Sequence, residues 1–370
     1  MSAPSTDLDA ALDALAAYGL AGSRHALPER PLADADFARL LESVASERLV
    51  GLLGAAIADG AWPVTNDQRV AAAALQVDVA TASVLLERLL LGVVDRFAAD
   101  GIGARVLKGP AVAHLDYGDP AWRSFGDLDL LVRGDDVERA IAALMGLGGH
   151  RDVPELRRNF DRRFGKGATI EMPGDLEVDL HRTLVTGPLG VTVRPDDLFA
   201  TASTFALGGR RLDALGTEER FVHACVHAAL SPDAPRAAVR DVAQLATAPA
   251  LDFDRTLELA RGWHARAAVA RAIEGSWRVL ALPDHAVSQW ARGYRPDASE
   301  RRALDAYFGG DRSYTRRAVA TLRVIPGARA KVAFARSLLF PGREYLAAQR
   351  VRRFDHVRRG AAHLRRGGAR

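Results

Sequence analysis

The stretch VLKGPAVAHLDYGDPAWRSFGDLDLLV, residues 106–132, is the part of the chain from which the fold can be deduced. Its pattern predicts a short strand, a helix, a turn with Gly and Pro, and a second strand that carries Asp127 and Asp129. Because successive side chains of a strand point to opposite faces, these two carboxylates share one face, and Leu128 and Leu130 face the core.

The pairing of Asp127 with Asp129 raises the question of a cation site. Two carboxylates side by side repel each other, and this repulsion costs stability unless a cation lies between them. The pattern therefore suggests a Mg²⁺ or Mn²⁺ site. On the Asp-x-Asp pair alone, a solvated strand end or an arginine partner is the commoner explanation.

A third carboxylate comes from residues 176–181, LEVDLH, whose alternation predicts another short strand. A Pro-Gly turn precedes it, so residues 168–181 are predicted to form a β-hairpin. Glu177, Asp179 and His181 share one face of this strand. Asp179 and the first two aspartates, on adjacent strands, would form a platform for two metal ions and an in-line displacement at phosphorus.

Groups that could bind a phosphate flank the acidic pair. Lys108, Arg123 and Ser124 supply the cationic and hydroxyl donors that a triphosphate requires. Pro110 falls in the first turn of the predicted helix, and backbone N–H groups after Gly109 could bind a phosphate there. An ordinary strand-to-helix turn explains the same residues without any ligand.

These motifs occur in one order along the chain: LKG, a helix, RSFGDLDLLV and then EVDLH. This order resembles the uncharacterised nucleotidyltransferase family, a branch of the polymerase-β-like nucleotidyltransferase superfamily, most strongly over residues 105–181. Many superfamily members have a Gly-Ser pair after the first strand, whereas this chain has Lys108-Gly109, as is usual for this branch. The resemblance continues more weakly through His223, His227, Arg240, Asp241 and residues 339–341.

The resemblance implies an α/β (α+β) fold in which a small mixed-sheet nucleotidyltransferase core lies between extensive N- and C-terminal helical regions. We expect the N-terminal helical region over residues 1–100 and the core over residues 101–215. The C-terminal helical region, with a basic tail, is expected over residues 216–370. A chain of 370 residues is long enough for one to three domains.

The resemblance also implies a reaction, the transfer of a nucleoside monophosphate from an NTP to an acceptor hydroxyl with release of pyrophosphate. Asp127, Asp129 and Asp179 are the implied catalytic residues and ligands of Mg²⁺ or Mn²⁺. ATP is the expected donor, and its triphosphate is expected to bind Lys108, Gly109, Arg123 and Ser124. Glu177 and His181 could orient the acceptor or a metal-bound water.

Three alternatives remain open from the residues. Asp-x-Asp also occurs in nucleotide-sugar glycosyltransferases, which require a larger doubly wound domain ahead of the pair, where this chain has a helical pattern. The same carboxylates could serve another Mg²⁺-dependent phosphotransferase. The chain could also bind a nucleotide without turnover of its own and act through a partner.

The composition is that of an ordinary soluble protein, with a net charge of +4 that does not by itself imply nucleic acid. Cys225 is the only cysteine, which excludes an intrachain disulfide and a zinc site built on several cysteines. No signal peptide or membrane span is predicted, so we expect a cytoplasmic protein without membrane insertion. Nearly all basic residues are arginine, and the three lysines are Lys108, Lys166 and Lys331.

The flanking regions are predicted to be mainly helical. Helical spacing predicts one helix over residues 37–58 and a longer one that Thr65 caps and that ends near Ala99. A short hairpin is possible around Gly208-Gly209. Two further pairs lie on successive predicted helices and could contact each other: His223 with His227, and Arg240 with Asp241.

The C-terminal stretch 338–370 is rich in arginine and contains few acidic residues. Such a stretch could bind nucleic acid or an anionic surface. Aromatic residues suited to stacking on single strands are sparse there, namely Tyr345 and Phe354. We therefore favour a helix with a solvated basic face over a nucleic-acid partner.

Overall fold

The computed structural model describes residues 5–231, 234–308 and 313–349. The predicted basic tail lies mostly outside these residues, since it continues from residue 350 to the C-terminus. Among the helices within the described ranges, none is both long enough and apolar enough to cross a membrane.

A mixed sheet lies at the centre of the described structure. Its strands are β1 (Ala104–Val106), β2 (Leu128–Val132), β3 (Gly167–Met172), β4 (Leu176–His181), β5 (Ser203–Leu207) and β6 (Arg210–Ala214). Their spatial order is β3-β4-β2-β1-β6-β5. β2 pairs with β4 and β1 with β6 in parallel, whereas the other neighbours are antiparallel. The expected small mixed sheet is thus confirmed.

Helices precede and follow the sheet strands, as the sequence predicted. Those before and among the strands are α1 (Ser5–Ala16), α2 (Asp34–Ser46), α3 (Val50–Ala58), α4 (Asn66–Ala99), α5 (Pro110–Asp116), α6 (Val137–Gly146), α7 (Phe160–Arg163), α8 (Pro188–Thr192) and α9 (Pro195–Ala200). Those after the strands are α10 (Thr217–Leu230), α11 (Arg236–Ala246), α12 (Phe253–Gly262), α13 (Arg266–Val279), α14 (Ala286–Gly293), α15 (Ala298–Asp305), α16 (Ser313–Val324), α17 (Ala328–Leu339) and α18 (Arg343–Ala348).

The two faces of the sheet pack against different helices. On one face, Leu128 and Leu130 of β2 join a core with α6 and the second half of α4. On the other face, Leu131 joins a second core, to which the N-terminal helices α1–α3 and the C-terminal helices α10, α11 and α13 all contribute. The apolar residues of β2 and the helices around them thus fix which face presents Asp129. The division into three regions at residues 101 and 216 stays a prediction.

Several local predictions are confirmed, and each rests on short-range chemistry. Thr65 caps α4 through a reciprocal capping box with Gln68. The β3–β4 hairpin turns through Gly174 and Asp175, both with positive φ. The β5–β6 hairpin turns through a Gly-Gly pair with positive φ at both positions, which is the requirement of a type I′ turn.

The prediction of one helix over residues 37–58 is wrong. The chain breaks between α2 and α3, where Arg48 adopts a left-handed backbone conformation with φ 57°. The apolar spacing continues across the break, and neither Gly nor Pro marks it. Long-range contacts hold it, because Glu47 accepts hydrogen bonds from the start of α11, and these contacts override the local helical preference.

Candidate active site

The strand register places two of the predicted carboxylates side by side. β2 and β4 are parallel neighbours, and Asp129 lies directly opposite Asp179. Both strands bury their alternate apolar residues on the other face, so the pleat directs the two carboxylates to the same side. Asp127 immediately precedes β2.

Asp129 is buried within a closed polar network, and its side chain is only 1% exposed. Lys108 Nζ lies 3.0 Å from Asp129 Oδ2, and His181 Nε2 donates to Oδ1 at 2.8 Å. Burial opposes the ionisation of this carboxyl, but Lys108 and His181 more than offset it, and the pKa of Asp129 is held well below its usual range. Burial also lowers the pKa of His181, although the hydrogen bond to Asp129 opposes that shift.

Asp179 is held from the β3 side of the sheet. Lys166 Nζ lies 3.0 Å from its Oδ2, and the Thr169 hydroxyl donates to its Oδ1 at 2.5 Å. Thr169 stands opposite Asp179 in the antiparallel hairpin, so the hairpin register provides this contact. Burial raises the pKa of Asp179, but Lys166 and Thr169 outweigh burial and leave the pKa below its usual value.

Asp127 is the most exposed of the three aspartates, with 23% of its side chain exposed. Arg48 Nη1 lies 3.4 Å from its Oδ1. Oxygen atoms of Asp127, Glu177 and Asp179 lie within 4.8 Å of one another. Burial, and after it the nearby charges of Asp179 and Asp127, raise the pKa of Glu177.

Two sets of metal-ligating atoms meet at Asp179. One set is Asp127, Glu177 and Asp179, and the other is Asp129, Asp179 and His181, each with its atoms within 4.8 Å of one another. The first set offers only carboxylate oxygens and is partly open to solvent, which suits a hard divalent ion such as Mg²⁺ or Mn²⁺. The second set is buried, and Lys108 already occupies one oxygen of Asp129. The donor chemistry of the first set therefore fits a divalent ion better.

Arg123 and Ser124 have partners within the protein. The Arg123 guanidinium is only 4% exposed, and its Nε and Nη2 both donate to the Asp241 carboxylate at 2.9 Å. Burial lowers the pKa of Arg123, but Asp241 more than compensates, and the pKa lies above its usual value. The Ser124 hydroxyl donates to the Arg48 carbonyl at 3.2 Å. Their role in binding a triphosphate stays a prediction.

Gly109 lies where a side chain would be crowded. Its φ of +51° is in the region that favours glycine, and an added Cβ would lie 3.3 Å from Phe125 Cβ. The glycine thus lets the loop after β1 pass close to the segment that leads into Asp127, with Lys108 beside Asp129.

The family follows from the extent of a sequence match. The family described as "Uncharacterised nucleotidyltransferase" matches residues 33–275, which is more than half of the 370-residue chain. The chain belongs to this family. A search of curated proteins found no match. The predicted resemblance is confirmed, and the match to the family includes all three aspartates, both site lysines, Arg48 and Asp241.

Two solved structures show distant likeness to this family member. A crystal structure of ANT(2")-Ia in complex with adenylyl-2"-tobramycin is 16% identical, with a TM-score of 0.35, covering 49% of this chain and 97% of that chain. An antigenic nucleotidyltransferase-like protein from Paracoccidioides brasiliensis is 14% identical, with a TM-score of 0.32, covering 56% of this chain and 96% of that chain. Likeness at this level carries no argument about individual residues.

Two residues of α11, Arg240 and Asp241, bond groups outside the C-terminal helices. Asp241 bonds Arg123 and the Tyr117 hydroxyl, and Arg240 donates to backbone carbonyls near the end of α1. A contact of these two residues with His223 and His227 stays a prediction. His223 is buried and His227 is half-buried. Removal from solvent, with Lys108 adding to it, lowers the pKa of both, that of His227 to about 3. We assign neither histidine to the chemistry.

Three residues of the site were not singled out from the sequence: Arg48, Lys166 and Thr169. Lys166 carried a signal, because it is one of three lysines in an arginine-rich chain. Thr169 could have been found from the register of the predicted hairpin, since it pairs with Asp179. Arg48 had no local signal, because a long-range contact breaks the helix around it.

Proposed function

We propose that this protein transfers a nucleoside monophosphate from an NTP to an acceptor hydroxyl and releases pyrophosphate. The observation that carries the proposal is the register of β2 with β4, which gathers Asp127, Glu177 and Asp179 around one small volume. Because the chain belongs to a nucleotidyltransferase family, nucleotidyl transfer is the reaction that we assign to these carboxylates. ATP as the donor and the cytoplasm as the location are part of the proposal.

Asp127, Asp179 and Glu177 would hold a divalent ion, Mg²⁺ or Mn²⁺, and Asp129 with Asp179 would hold a second one. Bound ions would offset the repulsion between the carboxylates and neutralise charge on the phosphate oxygens. His181 keeps the Asp129 carboxylate in one orientation through its 2.8 Å hydrogen bond. Thr169 and Lys166 do the same for Asp179.

Lys108 is the proposed phosphate ligand of the strand-to-helix loop. Its ammonium lies against the buried Asp129 and is 20% exposed, so it can reach a phosphate group bound beside that carboxylate. Gly109 leaves room for the loop to approach the nucleotide closely. The sequence suggested Arg123 and Ser124 for the same role. In this proposal they would instead hold the loop before Asp127 in position.

The proposed reaction forms a bond from the acceptor oxygen to the α-phosphorus and breaks the bond to pyrophosphate. The hydroxyl proton passes to a carboxylate at the open edge, where Asp179 and Glu177 are the available bases. The raised pKa of Glu177 makes it the stronger base of the two.

Helices α1–α4 precede β1, in contrast to the doubly wound domain that the glycosyltransferase alternative requires.

Isothermal titration with Mg²⁺ and non-hydrolysable analogues of ATP, GTP, CTP and UTP tests the proposal. We expect Mg²⁺-dependent binding to the wild type and at least a roughly tenfold weaker affinity in the double variant Asp127→Asn/Asp129→Asn. Asp196→Asn is the matched control, because this carboxylate is 94% exposed and pairs with Arg133 at the surface. A well-folded wild type that binds none of the analogues would overturn the proposed function.

A further inference from the structure

Arg48 occupies a strained backbone position at the rim of the candidate site. It lies between α2 and α3 with φ 57°, a left-handed conformation that is unfavourable for a non-glycine residue. Such strain persists only where the surrounding structure enforces it, and it is concentrated at functional sites.

Contacts from two directions enforce this conformation. The Glu47 carboxylate accepts hydrogen bonds from the backbone N–H and the guanidinium of Arg236, at 2.6 and 2.7 Å, where α11 begins. On the other side, the Ser124 hydroxyl donates to the Arg48 carbonyl at 3.2 Å. The fold thus holds the break between α2 and α3 against both the C-terminal helices and the loop that leads to Asp127.

The Arg48 side chain is held far less firmly than its backbone. Its single contact with Asp127 is 3.4 Å long, and the side chain is 36% exposed. By contrast, Arg123 and Arg220 are each 4% exposed and make two-pronged bonds of 2.7–2.9 Å to their carboxylates. The Arg48 guanidinium can therefore leave Asp127 at little cost, whereas those two arginines cannot.

We propose that Arg48 binds the triphosphate of the nucleotide donor, an inference that rests on the function proposed above. When Asp127 takes part in binding a divalent ion, the Arg48 guanidinium loses its partner and lies at the open edge of the carboxylate group. A guanidinium presents paired donors that match phosphate oxygens. The N-terminal helices thereby contribute a substrate-binding residue to a site built on the sheet.

The assignment of Arg48 also supplies the phosphate-binding arginine that the sequence motif was expected to provide. The arginine and serine within the motif, Arg123 and Ser124, are already bonded to Asp241 and to the Arg48 carbonyl. Ser124 thus acts on the phosphate indirectly, because it anchors the residue whose side chain reaches the substrate.

The test compares Arg48→Gly, Arg48→Lys and the control Arg39→Ala by titration with Mg²⁺ and either a non-hydrolysable ATP analogue or AMP. Arg39 is an exposed arginine of α2 with a local ion pair. We expect Arg48→Gly to weaken the affinity for the triphosphate analogue by roughly 10–100-fold and the affinity for AMP by less than about threefold. Arg48→Lys should fall between the glycine variant and the wild type, since it keeps the charge but not the paired donors.

Thermal unfolding of the same variants separates binding from structure. Glycine relieves the left-handed strain, so Arg48→Gly should unfold at the same temperature as the wild type or higher. Wild-type affinity of Arg48→Gly for the triphosphate analogue would overturn this inference alone. So would an equal loss of affinity for AMP and the triphosphate. Absence of nucleotide binding by the wild type would overturn the proposed function and this inference together.

Discussion

Two groups of charged side chains lie near the loop that leads into β2, and they are built differently. In the first, the Arg123 guanidinium faces the Asp241 carboxylate through paired hydrogen bonds, and Tyr117 donates to the same carboxylate at 2.8 Å. In the second, three cations each contact one aspartate, and no ion pair to Glu177 is found among the described residues. Its acids are Asp127, Asp129, Glu177 and Asp179, and its cations are Arg48, Lys108 and Lys166.

We interpret the first group as one that stabilises the fold and the second as one that binds a ligand. A matched pair satisfies its own charge and hydrogen bonds, needs no ligand, and fixes the position of α11 against the loop before Asp127. The second group leaves Glu177 close to Asp127 and Asp179 at an open edge, where an additional cation would relieve the repulsion between carboxylates. We therefore expect substitutions in the first group to change stability and substitutions in the second to change ligand binding.

The largest expected effect is the loss of stability in Arg123→Ala. The substitution leaves Asp241 buried without its charge partner, and such a change costs about 3–5 kcal/mol of unfolding free energy. Urea denaturation followed by circular dichroism measures it. The double variant Arg123→Met/Asp241→Leu, which removes both charges, should recover much of the loss, and a double variant as unstable as the single one would contradict a matched pair.

The second-largest expected effect is weaker metal-dependent nucleotide binding by the variant Asp179→Asn. Asp179 belongs to both sets of metal-ligating atoms, so we expect the affinity for a Mg²⁺–NTP analogue to fall at least about 100-fold. The unfolding free energy should change by much less than in Arg123→Ala. Asp175→Asn is the matched control, because this exposed residue in the turn of the same hairpin has a positive φ that asparagine tolerates.

A smaller effect is expected for Tyr117→Phe in the matched group. The substitution removes one hydrogen bond to a charged acceptor, worth about 1.5 kcal/mol, and leaves the Arg123–Asp241 pair in place. Denaturation should show this loss with nucleotide affinity unchanged. If the affinity fell by tenfold or more at constant stability, the separation between the two groups would be wrong.

The sequence predicted the elements whose cause is local. The alternation in LEVDLH, the turn before it and the Thr65 cap depend on neighbouring residues, and each formed as predicted. Because Asp129 and Asp179 both lie on strands, their adjacency required only that β2 and β4 be neighbours.

The contacts that the sequence did not predict join distant parts of the chain. Asp241 lies 118 residues from Arg123, and nothing near Arg123 distinguishes a structural arginine from a phosphate-binding one. Likewise, the helical spacing around Arg48 is uninterrupted, and the break is explained by distant contacts, those of Glu47 with α11 and of Ser124 with the Arg48 carbonyl. Tertiary contacts of this kind override local preference and cannot be read from periodicity.

The smallest expected effect is a gain of stability in Glu177→Gln, measured without divalent ions. Burial and the neighbouring aspartates raise the pKa of Glu177, so its ionised form destabilises the folded protein. Since the side chain is largely exposed, solvent screening limits the gain at pH 7 to no more than about 1 kcal/mol.

The sign of the pH dependence follows from that raised pKa. The folded protein holds the Glu177 proton more tightly than the unfolded chain does, so this group lowers stability as the pH rises from about 4.3 through the folded pKa. The advantage of Glu177→Gln should therefore be present at pH 7 and disappear near pH 4. Addition of Mg²⁺ should stabilise the wild type more than the variant, because an ion removes the repulsion that the substitution has already relieved. A variant that is less stable than the wild type at pH 7 without metal would show that the carboxylates at this edge are already balanced by Arg48 and Lys166.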